Sequence, residues 1–255
     1  MNAKTRQTLI ELNRAFYAEN SRAFSDSRRD PWPGWSRALT HLKSPDDHPI
    51  SALDVGCGNG RFATFLEHNL PSPYRYLGLD SSPALLSYAR SAHDAHKHVT
   101  FEQLEILDPA ARLTPVGDRF EVIALFGVLH HVPSEASRLD LLERLVARLS
   151  PGGILIVTAW QFGAFDRFRS RIIPWEQYNA TVRDPIDESE LEAGDHLLGF
   201  GDASLPRYCH FVSQDELREL VAQCCAESID EFSADGKTRD LNRYAVLRRG
   251  GETSG

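Results

Sequence analysis

An acidic residue and three glycines occupy alternate positions in one short stretch, in the order Asp54, Gly56, Gly58 and Gly60. Glycine has no Cβ atom, so it permits a tight turn and lets a ligand approach the main chain closely. A dinucleotide fingerprint would instead read G-x-G-x-x-G, and a phosphate loop would end in Gly-Lys-Ser/Thr. An acid repels phosphate but attracts an ammonium group. The spacing therefore predicts a cradle, which includes Cys57, for a nucleotide-like ligand that carries an ammonium group. The alternative is a Rossmann-like protein that binds a different ligand.

A second acid, Asp80, ends the next apolar run and is followed by Ser81. An acid at the tip of the strand after a glycine loop can accept hydrogen bonds from both ribose hydroxyls of an adenosine, as in dinucleotide-binding folds. Capping of the following helix is the alternative role for Asp80. Further along the chain, Phe126 ends another apolar run, and His130 and His131 come shortly after it. We expect these residues to border the same ligand.

The elements that must position these residues alternate between apolar runs and helical patterns. This alternation predicts a doubly wound, Rossmann-like α/β fold with right-handed crossovers. Its seven-stranded sheet should be mostly parallel, with the last strand antiparallel in a closing hairpin. The predicted strands are residues 50–55, 74–79, 99–102, 120–126, 154–160, 226–232 and 241–247. An N-terminal helix is expected over residues 5–24, and an S-x-x-E capping box at residues 213–216 predicts the start of the last helix.

The alternation of strand and helix patterns, and the stretch where it stops, predict four segments. Residues 1–49 hold the N-terminal helix and a loop in which Pro31 and Pro33 should keep the backbone extended beside Trp32 and Trp35, as a lid or as a hydrophobic plug. Residues 50–160 form the ligand-binding core. Residues 161–206 form a substrate-side insertion with no clean strand, and disorder is the alternative for residues 184–202. Residues 207–255 complete the core with a helix and a strand hairpin, and end in a frayed tail.

Composition narrows the class of protein. The 255 residues are 42% hydrophobic and carry a net charge of −8, which argues against coating nucleic acid through bulk charge but allows a local basic pocket. No run approaches the roughly 20 apolar residues of a membrane span. The polar first residues lack the apolar region of a signal peptide, so a cytoplasmic location is expected. The four cysteines form no C-x-x-C pair, which favours idle thiols and no metal site.

The glycine loop resembles motif I of class I S-adenosylmethionine-dependent methyltransferases. The flanking segments are similar to the tRNA wobble-uridine carboxymethyl methyltransferases, which esterify a 5-carboxymethyl group on an anticodon uridine. The matching segments are Phe24-Ser25-Asp26-Ser27-Arg28, Pro31-Trp32-Pro33, the glycine loop itself, Val128-Leu129-His130-His131, Trp160-Gln161 and Arg207-Tyr208-Cys209-His210-Phe211.

The resemblance implies S-adenosyl-L-methionine as the cofactor, the tRNA anticodon loop as the substrate, and a small zinc-binding activator subunit as a partner. It also implies that an acid after the third strand accepts from the adenine amino group and that the next residue meets the ring. Those positions are Glu105, where the family usually has aspartate, and Ile106.

A carboxylate acceptor is already ionised at neutral pH, so it needs a cation to orient it and no general base. Arg28 and Arg207 are the candidates, since a guanidinium presents a planar fork to a carboxylate. The residues expected to line the pocket beside them are His130, His131, Tyr208 and His210, and some of these could be structural instead. The alternatives are a small-molecule O- or N-methyltransferase with a histidine base, and a cofactor-binding fold without catalysis.

Overall fold

The structure is a computed structural model that describes residues 1–28, 30–43, 48–70, 73–108, 111, 113, 118–201 and 203–250. The tail residues 251–255 and Asp202 lie outside the described residues. The eight described helices are α1 (Ala3–Asp26), α2 (Pro33–Leu39), α3 (Arg61–Asn69), α4 (Pro83–Ala92), α5 (Glu135–Val146), α6 (Asp166–Arg169), α7 (Trp175–Asn179) and α8 (Gln214–Gln223). None of them is long and apolar enough to cross a membrane.

The strands form two sheets. The ten described strands are β1 (Ile50–Val55), β2 (Tyr74–Asp80), β3 (Val99–Gln103), β4 (Phe120–Leu125), β5 (Leu149–Trp160), β6 (Ile172–Ile173), β7 (Asp195–Leu198), β8 (Arg207–His210), β9 (Glu227–Ala234) and β10 (Asn242–Arg248). The larger sheet has the order β3-β2-β1-β4-β5-β10-β9. Strand β10 runs antiparallel to both β5 and β9. The predicted seven-stranded sheet with an antiparallel last strand is confirmed.

The central strands are apolar because both faces of the sheet are covered. In β1, Leu53 packs in the layer that contains Leu142 of α5, while Ala52 packs in the layer that contains Phe62 of α3. Every residue of β1 and of β4 is buried. The order of the strands reverses between β1 and β4, and in such sheets ligands bind in the crevice at the carboxyl ends of the strands.

The smaller sheet corrects one prediction. Residues 161–206 do contain strands, because β6 and β7 join β8 in an antiparallel sheet of order β6-β7-β8. These strands were hidden because they are short and because β7 begins with an acid, Asp195, which is buried through its hydrogen bonds with Tyr208 and His210. Since β8 belongs to this sheet, the sheet crosses the boundary predicted between residues 206 and 207. The division into four segments remains a prediction.

The smaller sheet packs on α1. Leu9 and Leu12 of α1 share an apolar cluster with Leu197 of β7 and Tyr208 of β8. The N-terminal helix also contacts α4, so it connects the smaller sheet with a helix that covers the larger one.

The two prolines do not keep residues 31–35 extended, so this prediction is wrong. Pro33 is the first residue of α2, and Trp32 is its extended N-cap. Proline is tolerated at the first helical position because the N–H that it lacks would have no partner within the helix.

Candidate active site

A cavity of about 420 Å³ opens at the carboxyl ends of the parallel strands. It is bounded by the glycine loop, by the ends of β2 and β4, by α1 and by the start of β8. The predicted site residues that line it are Arg28, Asp54, Gly56, Cys57, Gly58, Asp80, Ser81, Glu105, Ile106, Phe126, His130, His131 and Arg207. Three predicted residues, Gly60, Tyr208 and His210, do not line it.

The three glycines of the loop differ in what surrounds them. Gly56 has a φ of +76°, and a Cβ atom there would lie 2.2 Å from Cγ2 of Val128. Gly60 has a φ of +78° and precedes α3, where a Cβ would lie 3.0 Å from the Phe101 ring. Gly58 has a φ of +57°, but a Cβ there would meet nothing within 4 Å. Gly56 and Gly60 therefore permit internal packing, whereas Gly58 leaves open space at the wall of the cavity.

Asp80 holds the glycine loop in place. Its carboxylate accepts hydrogen bonds from the backbone N–H of Gly58 at 2.8 Å and from that of Ser82 at 2.8 Å. The Ser82 hydroxyl in turn accepts from the Leu85 N–H and caps α4. Each carboxylate oxygen can accept more than one hydrogen bond, so these contacts leave room for the ribose contact that the sequence predicts. That contact stays a prediction.

Asp54 is buried under the loop and receives a hydrogen bond of 2.6 Å from the Tyr76 hydroxyl. Burial raises the pKa of this carboxyl to about 7, although the hydrogen bond from Tyr76 opposes the shift. Asp54 is thus close to half-ionised at neutral pH. A positively charged group bound beside it would favour the ionised form.

Glu105 lies at the rim of the cavity and is paired with a residue of α1. Its Oε2 lies 2.8 Å from Nη2 of Arg14, and its Oε1 accepts from the Leu107 N–H at 3.3 Å. Since the ion pair with Arg14 is partly exposed, it adds little stability. Ile106 beside it is buried in the apolar core. Contact of either residue with an adenine remains a prediction.

His131 is fully engaged by its neighbours. Its Nδ1 lies 2.9 Å from the Tyr208 carbonyl, which can only accept, so Nδ1 carries the proton. The Tyr17 hydroxyl then donates to Nε2 across 2.8 Å. Burial and the nearby Arg207 lower the pKa of His131 to about 3. A neutral imidazole whose lone pair is already occupied is poorly suited to act as a general base.

His130 lies against His131, with ring centroids 4.1 Å apart. Burial, with further contributions from His131 and Arg207, lowers the pKa of His130 well below its ordinary value. Both histidines therefore stay neutral at physiological pH, and neither has the near-neutral pKa that favours a base.

Five of the described arginines line the cavity, and two of them, Arg28 and Arg207, are the predicted partners of an acceptor. Arg207 is only 5% exposed, and its guanidinium carbon lies 4.9 Å from the ring centroid of Trp160. The Arg28 guanidinium lies 3.5 Å from the ring centroid of Phe24. Burial, together with repulsion from Arg207, lowers the pKa of Arg28 to about 10. Among the described residues neither arginine forms an ion pair with a carboxylate, and their contact with an anionic acceptor stays a prediction.

The side chains of Tyr208 and His210 point away from the cavity, which corrects their assignment as lining residues. The Tyr208 hydroxyl donates to Asp195 at 2.6 Å, and His210 bonds Asp195 through Nδ1 at 2.7 Å and Glu216 through Nε2 at 3.0 Å. Burial opposes a charge on His210, but the hydrogen bonds to Asp195 and Glu216 raise its pKa. In a β-strand alternate side chains face opposite sides. Arg207 therefore faces the cavity, while Tyr208 lies on the opposite face of the smaller sheet.

The tryptophan segment serves as both a wall and a plug. Trp32 lines the cavity. Trp35 is buried and stacks on Phe126 at a centroid distance of 5.3 Å. Trp35 also lines the cavity, so both tryptophans contribute to the cavity wall and to the apolar packing behind it.

Three polar residues of α1 at the site were missed by sequence analysis. Asn13, Arg14 and Tyr17 all line the cavity. Asn13 is buried and accepts from the Tyr208 N–H at 2.8 Å. Asn13 stands within the apolar stripe that includes Leu9 and Phe16. A polar residue inside such a stripe is the signal that could have identified this face of the helix.

A family profile described as "Methyltransferase domain" matches residues 53–155. The match begins one residue before Asp54, extends through the glycine loop and Asp80, and ends in β5. Residues 53–155 carry a methyltransferase domain.

Curated relatives of this methyltransferase fall into more than one group. Two are named "tRNA (carboxymethyluridine(34)-5-O)-methyltransferase". The Schizosaccharomyces pombe protein is 26% identical over 78% of this chain and 81% of its own length. The Arabidopsis thaliana protein is 31% identical over 54% of this chain and 30% of its own length. A "Trans-aconitate 2-methyltransferase" from Methylobacterium radiotolerans is 32% identical over 58% of this chain and 49% of its own length. The chain thus spans less than half of two of these three relatives.

A solved structure shares the fold of the methyltransferase. It is the Burkholderia thailandensis 1,6-didemethyltoxoflavin-N1-methyltransferase, with bound 1,6-didemethyltoxoflavin and S-adenosylhomocysteine. It superposes with a TM-score of 0.61 at 18% identity, over 98% of this chain and 92% of that chain.

The sequence predicts S-adenosylmethionine as the cofactor, and the cavity suits it. The open space in front of Gly58 lets a ligand reach the main chain. Asp54 offers a buried carboxyl for a positively charged group, and Asp80 offers acceptors for hydroxyl groups. The residues expected to hold the cofactor are Asp54, Gly56, Cys57, Gly58, Asp80, Ser81, Glu105, Ile106 and Phe126.

Cofactor affinity should depend on pH through Asp54. Since burial raises the pKa of this carboxyl to about 7, lowering the pH through 7 protonates it and removes its attraction for an ammonium group. We expect the dissociation constant of S-adenosylhomocysteine to rise by about 25-fold between pH 7.5 and pH 5.5, since affinity that requires an ionised carboxylate falls tenfold for each pH unit below its pKa. Calorimetric titration across this range measures the effect.

The matched control is Asp54→Asn, which keeps the shape of the side chain and cannot ionise. This variant should bind more weakly at pH 7.5 and show a flatter pH profile. The pKa of Asp80 is also raised by burial. If the Asp54→Asn profile is as steep as that of the wild type, the titrating group is not Asp54.

Proposed function

We propose that this methyltransferase esterifies a carboxylate, and that the carboxylate is the 5-carboxymethyl group of a wobble uridine in the tRNA anticodon loop. One observation carries the proposal. The buried Arg207 and the half-buried Arg28 place two positive charges in the cavity, with no carboxylate partner among the described residues. A cation buried without a partner is costly, and an anionic acceptor would supply the missing charge.

The acid-base groups of the site agree with a carboxylate acceptor. A carboxylate is already a nucleophile at pH 7, so no group of the protein has to remove a proton from it. His131 has its lone pair occupied by Tyr17, and His130 is buried and neutral. The cofactor supplies an electrophilic methyl group carried on a sulfonium. The arginines orient the acceptor, and positioning of this kind can supply about 7 kcal/mol or more of the reduction in the barrier.

The walls of the cavity favour an acceptor that includes a planar base. Trp160, Phe168 and Phe200 line the cavity on the side of the smaller sheet, together with Arg171. Unstacked bases of single-stranded RNA are commonly recognised by stacking on aromatic side chains. The names of the S. pombe and A. thaliana relatives support the same substrate.

A small carboxylic acid is the second candidate acceptor. Trans-aconitate, named in the M. radiotolerans relative, is a carboxylic acid, and the net charge of −8 does not favour tRNA through long-range attraction. The same two arginines would orient it. The third hypothesis, methylation of a phenol or an amine, requires a base that His130 and His131 do not readily provide.

The test uses tRNA from cells that lack the ester. The protein is incubated with this tRNA and methyl-labelled cofactor, with and without a small zinc-binding activator subunit. We expect label to enter the tRNA, and mild alkali to release it as methanol because a methyl ester hydrolyses whereas an N-methyl group or an ether does not.

Three results would contradict the proposal in different ways. No incorporation under either condition would exclude the tRNA substrate, and transfer to trans-aconitate would then favour the small acid. Alkali-stable label would exclude ester formation altogether. Cofactor binding without turnover on any of these acceptors would favour a non-catalytic fold.

A further inference from the structure

We propose that Glu67, His93 and His96 form a binding site for a divalent transition-metal ion such as Zn²⁺. One donor atom from each of the three side chains lies within 4.8 Å of the other two. None of the three residues lines the active-site cavity. The site would lie where the C-terminal half of α3 meets the turn between α4 and β3.

Local structure brings these side chains together. His93 is the C-cap of α4, and the His96 N–H donates to the His93 carbonyl at 3.0 Å, which closes the turn. His96 Nε2 then lies 2.9 Å from Oε1 of Glu67 on α3. The H-x-x-H spacing therefore presents both imidazoles to one carboxylate.

Unsatisfied nitrogens indicate that this cluster is incomplete. Nδ1 of His93 and Nδ1 of His96 are buried and have no hydrogen-bond partner in the described part of the chain. His93 is only 5% exposed. Its Nε2 lies 3.3 Å from the Gly60 carbonyl, and donation to that oxygen leaves a free lone pair on Nδ1. Metal-binding histidines commonly donate their other ring N–H to a backbone carbonyl in this way.

The donor set indicates the class of ion. Two imidazole nitrogens and one carboxylate oxygen suit Zn²⁺ and its neighbours, with the fourth position left to solvent or to another side chain. The exposed His98 is nearby, with its ring centroid 5.8 Å from that of His96. Ca²⁺ and Mg²⁺ prefer oxygen ligands only. The sequence-based expectation of no metal site considered the cysteines and not this histidine-rich turn.

Two other clusters with potential ligand atoms are already explained. In the first, formed by His130, His131 and Cys209, the ring nitrogens of His131 are occupied. In the second, formed by Glu192, Asp195 and His210, the positive charge comes from Arg138. The Arg138 guanidinium lies 2.7 Å from Glu192 and 2.8 Å from Glu216. The cluster on α3 has no such arginine or lysine among its recorded ion pairs.

A metal ion at this site would act on the cofactor loop indirectly. It would join α3 to the turn after α4 and would fix the His93 ring that contacts the carbonyl of Gly60. Since Gly60 precedes α3 and ends the glycine loop, the ion would stabilise the base of the loop without touching the cofactor.

The experiment uses the full chain, purified without a histidine tag and treated with a chelator. Zn²⁺ is titrated by calorimetry, and Co²⁺ binding is followed by its visible absorption, which is strong in tetrahedral sites. We expect the wild type to bind one equivalent of Zn²⁺ and to show a higher melting temperature with the ion. His96→Gln and Glu67→Gln should each weaken binding at least tenfold, since even the loss of a residue that only hydrogen-bonds a metal ligand reduces affinity by about 10 to 100-fold.

The matched control is His68→Gln. His68 is exposed on the same helix, bonds the Thr64 carbonyl of its own helix, and is not part of the cluster. It should leave Zn²⁺ affinity unchanged. If His96→Gln and Glu67→Gln bind S-adenosylhomocysteine as tightly as the wild type does, both variants are folded. Absence of Zn²⁺ binding in the wild type, or equal binding by all four proteins, would overturn the proposal.

Discussion

Replacing Arg207 by methionine should lower kcat/KM for a carboxylate acceptor by about 100-fold, because about 3 kcal/mol of charge-assisted hydrogen bonding would be lost. The same change should not lower the melting temperature. Arg207 is buried among Phe16, Trp160 and Phe200 without a recorded carboxylate partner. Replacing a buried charge by an apolar side chain of similar length is often neutral or stabilising. Acceptor kinetics and thermal unfolding measure the two effects.

Arg138 provides the matched control, since it is also buried, being 1% exposed. It differs because it pairs with Glu192 and Glu216. Arg138→Met should therefore destabilise the fold by about 3 kcal/mol, since it leaves two half-buried acids without their partner. If Arg207→Met destabilised the protein as much as Arg138→Met, Arg207 would be a structural residue. If it also weakened S-adenosylhomocysteine binding, Arg207 would belong to the cofactor site.

The position of the glycine-loop side of the cavity could be predicted from the sequence because its signals are local. The glycines, Asp54 and Asp80 lie at the ends of adjacent apolar runs, and parallel strands bring their carboxyl ends to one edge of the sheet. Strand order and direction follow from the same alternation. The structure adds that Asp80 bonds the loop itself, through the Gly58 N–H.

The acceptor half could be predicted only in part, because it is built from contacts distant in sequence. Tyr17 of α1 meets His131, which is 114 residues away, and Asn13 meets Tyr208, which is 195 residues away. The spacing of apolar residues within one helix or strand does not indicate which distant residues will pair. The same contacts occupy the lone pair that would have made His131 a base, which is why residue type was a poor guide to its role. The resemblance to a known family supplied Arg28 and Arg207, which local patterns would not have singled out.

Exchanging Gly56 and Gly58 for alanine, one at a time, should separate folding from cofactor binding. In Gly56→Ala the new Cβ would lie 2.2 Å from Cγ2 of Val128, and φ is +76°. The left-handed conformation costs about 1 to 2 kcal/mol, and overpacking costs about 1 to 3 kcal/mol. We therefore expect Gly56→Ala to lose about 2 to 5 kcal/mol of the free energy of unfolding. Chemical denaturation gives this value.

Gly58→Ala should fold almost normally, because its Cβ meets no protein atom within 4 Å and only the backbone strain remains. The new methyl group would instead occupy the space at the cavity wall where the ligand must approach the main chain. Affinity for S-adenosylhomocysteine should fall about tenfold or more, which is the effect of 1 to 3 kcal/mol of steric conflict. Calorimetric titration of the folded variant measures it.

A double-mutant cycle tests the cause of the Gly56 effect. Val128→Ala removes the Cγ2 atom that the new Cβ would meet. The double variant Gly56→Ala with Val128→Ala should therefore be more stable than the sum of the single changes predicts, by about 1 to 3 kcal/mol. Strict additivity would mean that backbone strain at Gly56, and not contact with Val128, requires glycine there. If Gly58→Ala bound the cofactor as tightly as the wild type, the open space at Gly58 would not belong to the cofactor site, and the loop would serve folding alone.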